Sequence, residues 1–188
     1  MQHEFLPFLA DFQARRVRIG HGCQYFLSQM RPKSRGWLRL RTADPDTHPE
    51  IVLNYLDDPV DAEHMLDCLA QTRDMARQAT WAAMGGTEIA PGPDVSSRDE
   101  ALASMRSIGN TEHDPVDTCR MGHDGMAITD GEGLVHGLSG LRIMDGSILP
   151  TIPTANVNAP IIMAAEKIAD RIGGRQPLLR QSLVSVLR

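Results

Sequence analysis

The tripeptide Asp57-Asp58-Pro59 constrains the fold of this 188-residue chain more than any other local feature. An Asp side chain accepts hydrogen bonds from the free amide groups of a first helical turn, and a Pro just inside that turn loses nothing, because its missing N–H would have had no partner there. Ala62, Met65, Leu66, Leu69 and Ala76 follow at helical spacing, with acids and arginines between them. The spacing predicts an amphipathic helix that buries one face, with its methionines as core filling rather than a ligand box.

Before this helix, Ser34 to Thr42 (SRGWLRLRT) alternates Trp37, Arg39 and Arg41 against Leu38 and Leu40. That period of two predicts a strand with one polar face. The turn-like DPDTHP and the extended run Glu50 to Asn54 (EIVLN) complete a hairpin with a long loop. After the helix, residues 85–97 (GGTEIAPGPDVSS) are too rich in Gly, Pro and Ser for regular structure. Ser97 with Glu100 three residues later reads as a capping box that opens a second short helix reaching Met105. Leu141 to Met144 (LRIM) reads as a strand. Pro160 is expected at the start of a final helix through Ile161, Met163, Ala164, Ile168 and Ile172, stopped by Gly173-Gly174.

At this length one domain, or part of a larger one, is expected. A formal net charge of −5 lacks the basic excess that a phosphate backbone demands, and the densest arginine group is only Arg15, Arg16 and Arg18. Nucleic acid is therefore excluded as a partner. No apolar run is long enough to cross a bilayer, and the opening MQHEFLPFLADF carries an acid where a secretory signal needs positive charge. A cytoplasmic location is the expectation. Cys23, Cys68 and Cys119 are odd in number and form no CxxC pair, so they are expected to be reduced thiols. Gly20-His21-Gly22 lacks the third glycine and the strand–helix setting of a dinucleotide-binding turn.

Glu112 to Gly122 (EHDPVDTCRMG) concentrates acid–base and nucleophilic side chains in one short loop. Three readings follow from its chemistry alone. His113, Cys119 and His123, with Asp114 or Asp117, could ligate a metal, although no paired ligand spacing supports it. Cys119 could act as a thiolate favoured by Arg120, although no third orienting group is in view. The stretch could equally be a solvated loop.

The spacing also matches something specific. Pro115 to Gly122 (PVDTCRMG) resembles the H-P-V-G-T-C-R-M-G signature of the glucose-methanol-choline (GMC) family of flavin-dependent alcohol oxidoreductases. Leu141 to Pro150 (LRIMDGSILP) is similar to that family's L-R-V-V-D-A-S-x-M-P. Thr154 to Ile172 (TANVNAPIIMAAEKIADRI) is similar to its S-G-N-T-N-A-P-T-I-M-I-A-E-K-A-A-D-x-I ending, and Arg31 to Leu40 (RPKSRGWLRL) to its L-R-P-x-S-R-G-x-V-x-L segment. The choline-dehydrogenase-like branch is the nearest. Complete members carry an N-terminal FAD-binding half, and this chain resembles only the C-terminal part.

The resemblance implies an α+β fold: the antiparallel sheet and flanking helices of a substrate-binding domain, plus a strand and helix that close the FAD domain in complete members. It implies a substrate-binding portion with the loop over 1–138 and a flavin-contacting strand and helix over 139–174; the remainder, 175–188, beyond the glycine stop, is expected to be a flexible tail. It further implies oxidation of an alcohol, with a base taking the hydroxyl proton while hydride passes to the flavin of FAD.

Asn156, eleven positions after Asp145 and eleven before Lys167, matches the family residue that hydrogen-bonds the substrate oxygen. The family histidine immediately precedes the Pro; here Asp114 holds that position and His113 sits one earlier. In extended chain a shift of one residue turns the side chain to the opposite face. Either the loop bulges to bring His113 inward, or Asp114 is the base. A carboxylate, with an ordinary pKa of about 3.9 against about 6.5 for His, would be the weaker base, and it would repel charge building on an alkoxide and a reduced flavin. Asp117 stands where the motif has Gly and adds negative charge.

Asp145, Gly146, Asn156, Val157 and Asn158 are implied to lie at the cofactor, with the final helix aiming its N-terminus at the flavin. Alone, the chain is expected to hold FAD poorly, because it contains no phosphate-cradling turn. The implied partners are a small alcohol and a separately encoded N-terminal FAD-binding half. The alternatives are a non-catalytic family remnant acting as a binding module and, behind it, a metal-binding protein.

Overall fold

Asp58 and Pro59 do start a helix. In the computed structural model, which describes residues 1–9 and 20–176, α1 runs Pro59–Ala76, and Asp58 accepts the Val60 N–H at 2.8 Å. It buries Ala62, Leu66 and Leu69, as the spacing requires, together with two residues outside that pattern, Asp61 and Cys68, while Met65 is half-buried. Ala76 is exposed. A short α2 (Ala79–Ala82) follows, and then α3 (Arg98–Ile108), opened by the Ser97–Glu100 capping box. Leu66 and Leu69 of α1 meet Ala101 of α3, with Leu27, Val95, Leu102 and Met105 around them. Residues 85–97 contain no helix or strand.

Two antiparallel ribbons accompany these helices. β1 (Gln2–Leu6) pairs with β2 (Gln24–Ser28), setting His3 opposite Leu27 and Phe5 opposite Tyr25. These four share a face because side chains alternate along a strand. That face meets the helices: His3 Nε2 is 3.0 Å from Cys68 Sγ, and the Phe5 ring lies edge-on to Trp81 with centroids 5.3 Å apart.

β3 (Trp37–Arg39) pairs with β4 (Glu50–Val52) as the expected hairpin, though shorter than the alternation suggested. On its polar face the Arg39 guanidinium lies 4.6 Å over the Trp37 ring. Leu38 and Ile51, cross-strand partners on the other face, are exposed, as are Leu40 and Leu53.

Asp61 explains how the Arg31–Gly36 stretch is fastened. Only 1% exposed, its carboxylate accepts the Lys33 N–H, the Ser34 N–H at 2.7 Å, the Ser34 hydroxyl at 2.6 Å and the Gln29 amide at 3.0 Å. Burial pushes this carboxyl up, but the donors from Lys33 and Ser34, with His64 nearby, outweigh burial and leave it below the ordinary carboxylate range.

By contacts the chain divides into two units, Met1–His113 and Asp114–Arg188. Among its described residues the second is built from loops joined by single bridges, Met121–Thr129, Thr129–Val135 and Leu134–Arg142, around one α-helix. The strand expected at Leu141–Met144 is therefore corrected to one bridge. Its backbone bonds to the neighbouring segment run through the Leu141 carbonyl and the Ile143 N–H, which meet the Val135 N–H and the Gly133 carbonyl. Gly133, at φ +74°, turns the partner segment away before a ladder can extend.

α4 spans Asn158–Ile172 and stops at Gly173-Gly174, where Gly174 takes φ +63°. Pro160 sits two residues inside the helix rather than first, still within the turn whose N–H groups have no helical partner. Ile168 is buried, and Arg171 pairs with Glu132. The architecture is α+β, and no helix among the described residues is long and apolar enough to cross a membrane. Arg15, Arg16 and Arg18 lie outside the described residues, as does the tail beyond residue 176.

Candidate active site

The loop Asp114–Gly122 is held from within. The Arg120 N–H donates to the Asp117 carbonyl at 3.3 Å, closing a turn whose first residue has φ +80°. The Arg120 guanidinium grips both oxygens of Asp124, at 3.0 and 2.6 Å, and its Nε lies 3.7 Å from Asp117 Oδ1. The hydrogen bonds to Asp124 raise the Arg120 pKa, and the same contact lowers that of Asp124. Ile128 and Thr129 N–H both donate to the Arg120 carbonyl, and the fully buried Thr129 hydroxyl donates to the Cys119 carbonyl at 3.1 Å.

This loop is seated on the turn that follows it in the motif order. The Cys119 N–H donates to the Ser147 carbonyl at 3.0 Å and the Met121 N–H to the Ile148 carbonyl at 2.9 Å. Gly146–Ile148 is a 3-10 turn capped by Asp145, whose Oδ1 accepts the Ser147 N–H at 2.8 Å. A Cβ on Gly146 would stand 3.1 Å from Ile161 Cδ1 and 3.4 Å from the Pro115 carbonyl oxygen. Gly146 is thus the point where the loop, the turn and α4 approach one another.

The N-terminal end of α4 has no side-chain cap and no acid in its first turn. Val157 is 2% exposed and accepts the Ile161 N–H, while Asn156 and Asn158 on either side of it are exposed. Within the second unit, packing therefore runs from Pro115 through Gly146 and Ile161 to Val157. This brings together the segments that carry Asp114, Asp145, Gly146, Asn156, Val157 and Asn158.

His113 belongs to the first unit, where its N–H donates to the Thr111 hydroxyl at 2.9 Å and its side chain is exposed. Its φ of +65° breaks the extended backbone on which strict alternation of faces depends. Asp114, which opens the second unit, is half-buried.

Among the described residues no group of three or more His, Cys, Asp and Glu side chains is placed to hold a metal ion. Arg120, weighed from sequence only as a partner for a Cys119 thiolate, is instead committed to Asp124 and Asp117. Thr129 also supports the loop and carries no local sequence signal, because its partner Cys119 is ten residues away. A separate groove in the first unit is lined by Arg73, Arg77 and Arg98, but each is paired, with Glu88, Asp74 and Glu63 respectively.

Comparison with known proteins identifies the family. A family model for GMC oxidoreductase matches residues 32–165. The chain is 44% identical over 183 residues to an oxygen-dependent choline dehydrogenase of Chromohalobacter salexigens, an alignment covering 97% of this chain and 33% of that protein. It is 43% identical to the Burkholderia multivorans protein of the same description, covering 97% of this chain and 32% of that one.

Among solved structures, an FAD-dependent oxidoreductase from Chaetomium thermophilum aligns with a TM-score of 0.73 and 27% identity, over 81% of this chain and 26% of that one. A fungal aryl-alcohol oxidase aligns with a TM-score of 0.64 and 29% identity, over 76% of this chain and 24% of that one. The chain spans about a third of the length of the curated relatives it matches. With four motifs in order and the loop, the glycine turn and the helix start packed in one unit, the chain belongs to the GMC oxidoreductase family and corresponds to its C-terminal portion.

Proposed function

We propose that this chain is the substrate-binding part of an FAD-dependent alcohol oxidoreductase of the choline-dehydrogenase-like kind, inactive until joined by an FAD-binding half. The packing of Pro115 on Gly146, and of Gly146 on α4, carries the reading. It supports a common origin for the two sides of a pocket, one from the loop and one from the helix start.

The residues present fit a flavin. An uncapped helix N-terminus with no first-turn acid favours an electron-rich ring edge, and exposed Asn156 and Asn158 flank it. Asp145, Gly146, Asn156, Val157 and Asn158 would hold the group, which when bound supplies the acceptor for the hydride leaving the carbinol carbon. Asn156 has an amide that donates to the alcohol oxygen and orients it, but cannot take its proton. That proton passes to His113 or Asp114.

The test is co-expression with the FAD-binding portion of a choline dehydrogenase relative, followed by dye-linked oxidation of choline and of simple alcohols. We expect alcohol oxidation by the flavin-loaded pair, none by this chain alone, and a loss of about 100-fold or more in Asn156→Ala. Of His113→Gln and Asp114→Asn, the variant with the larger loss in kcat identifies the proton acceptor. A flavin-loaded pair that oxidises no alcohol would end this reading.

A further inference from the structure

We propose that Arg120 is a positioning residue of the candidate site, and that Asp117 is a compensated replacement held to it. The proposal rests on the functional reading above only for the loop's role beside substrate.

A backbone at φ +80° disfavours any side chain with a Cβ, which accounts for the Gly in the motif that this loop resembles. Asp is among the residues that tolerate this region best. Its carboxylate would nonetheless bring a negative charge into a loop where an alcohol oxygen is to lose its proton.

The structure directs that charge elsewhere. Asp117 Oδ1 is enclosed and lies 3.7 Å from Arg120 Nε, while the other edge of the same guanidinium grips Asp124. Arg120 is the only Lys or Arg between positions 107 and 141, a stretch that also holds Glu112, Asp114, Asp130 and Glu132. No second cation in that stretch could take its place.

The main chain converts this clasp into position. The Asp117 carbonyl accepts the Arg120 N–H, and the residues on either side of Arg120 donate to the Ser147 and Ile148 carbonyls. Fixing Arg120 therefore fixes the loop on the same turn whose Gly146 abuts Pro115. Losing Arg120 would release two carboxylates at once and loosen both seats.

The experiment is a double-mutant cycle on this chain, with Asp117→Gly, Arg120→Gln and the pair, read by thermal melting and by amide hydrogen exchange at Cys119 and Met121. Asp117→Gly alone should barely move the melting temperature, because relief of strain and loss of the Arg120 contact oppose each other. Arg120→Gln should lower it by about 2–4 °C and speed exchange at both amides. Adding Asp117→Gly to Arg120→Gln should then recover much of that loss, with Arg120→Lys intermediate.

Equal shifts for Asp117→Gly in both backgrounds, or unchanged exchange in Arg120→Gln, would overturn the clasp. In the flavin-loaded pair, Arg120→Gln should cut kcat by up to about 100-fold with little change in KM, as misplacement does, and Asp117→Gly should restore part of it. Faster exchange with unaltered kcat would overturn the positioning role. The melting cycle needs no flavin, so a failed functional reading and a failed clasp are told apart.

Discussion

The carbonyl oxygen of Pro115 lies 3.4 Å from the point that a Cβ on Gly146 would occupy, and Ile161 Cδ1 lies 3.1 Å from the same point. The Ile161 contact is the end of a flexible side chain and can yield; the Pro115 contact is backbone. Gly146→Ala should therefore be accommodated by a small movement of Ile161. Gly146→Val adds a whole isopropyl group against both neighbours and should destabilise the second unit by about 1–3 kcal/mol. Denaturant unfolding followed by a probe on α4 measures both.

Gly36 is a stricter case. A Cβ there would stand 2.2 Å from the Val52 carbonyl oxygen, a backbone atom of the facing strand. Gly36→Ala should break the β3–β4 pairing, with a loss at the upper end of the range of about 1–3 kcal/mol or beyond it. A larger fall in melting temperature for Gly36→Ala than for Gly146→Ala checks the ranking.

Asp61 makes stability depend on acid. Its folded pKa is depressed, so its contribution is complete above the unfolded value of about 4 and disappears as pH falls through the lower folded value. Asp61→Asn removes the charge and sets an amide against several donors, which should cost about 1.5–3 kcal/mol near neutral pH. Melting curves between neutral pH and the acid limit should show the wild-type advantage over Asp61→Asn shrinking only below that unfolded value. An advantage constant across the whole range would contradict the assignment.

The three thiols should separate by reactivity. Cys68 is fully buried, its sulfur lies 3.0 Å from His3 Nε2, and burial raises its pKa. A disulfide reagent at neutral pH should label exposed Cys23 quickly and half-buried Cys119 more slowly. It should reach Cys68 only when denaturant is added, as mass spectrometry of the labelled peptides would show.

Much of this protein was legible in its sequence wherever cause and effect lie within a few residues. Asp58 caps the helix that Pro59 begins, Ser97 and Glu100 satisfy each other's amides, and Gly173-Gly174 ends α4. The family motifs were legible for a related reason: they are short runs whose residue types serve one turn or one helix end.

Tertiary structure alone decided the rest, because each such feature joins residues distant in sequence. Asp61 has no local cause for its burial; Lys33 and Ser34 reach it from 28 and 27 residues away. Leu141–Met144 had the composition of a strand but no partner segment long enough to make one. The approach of the Pro115 carbonyl and Ile161 to Gly146, from 31 and 15 residues away, was likewise set only by folding. Local capping and periodicity act through the chain's own nearest amides, so composition suffices to determine them; close packing depends on which backbone comes to lie against which, and only the folded arrangement determines that.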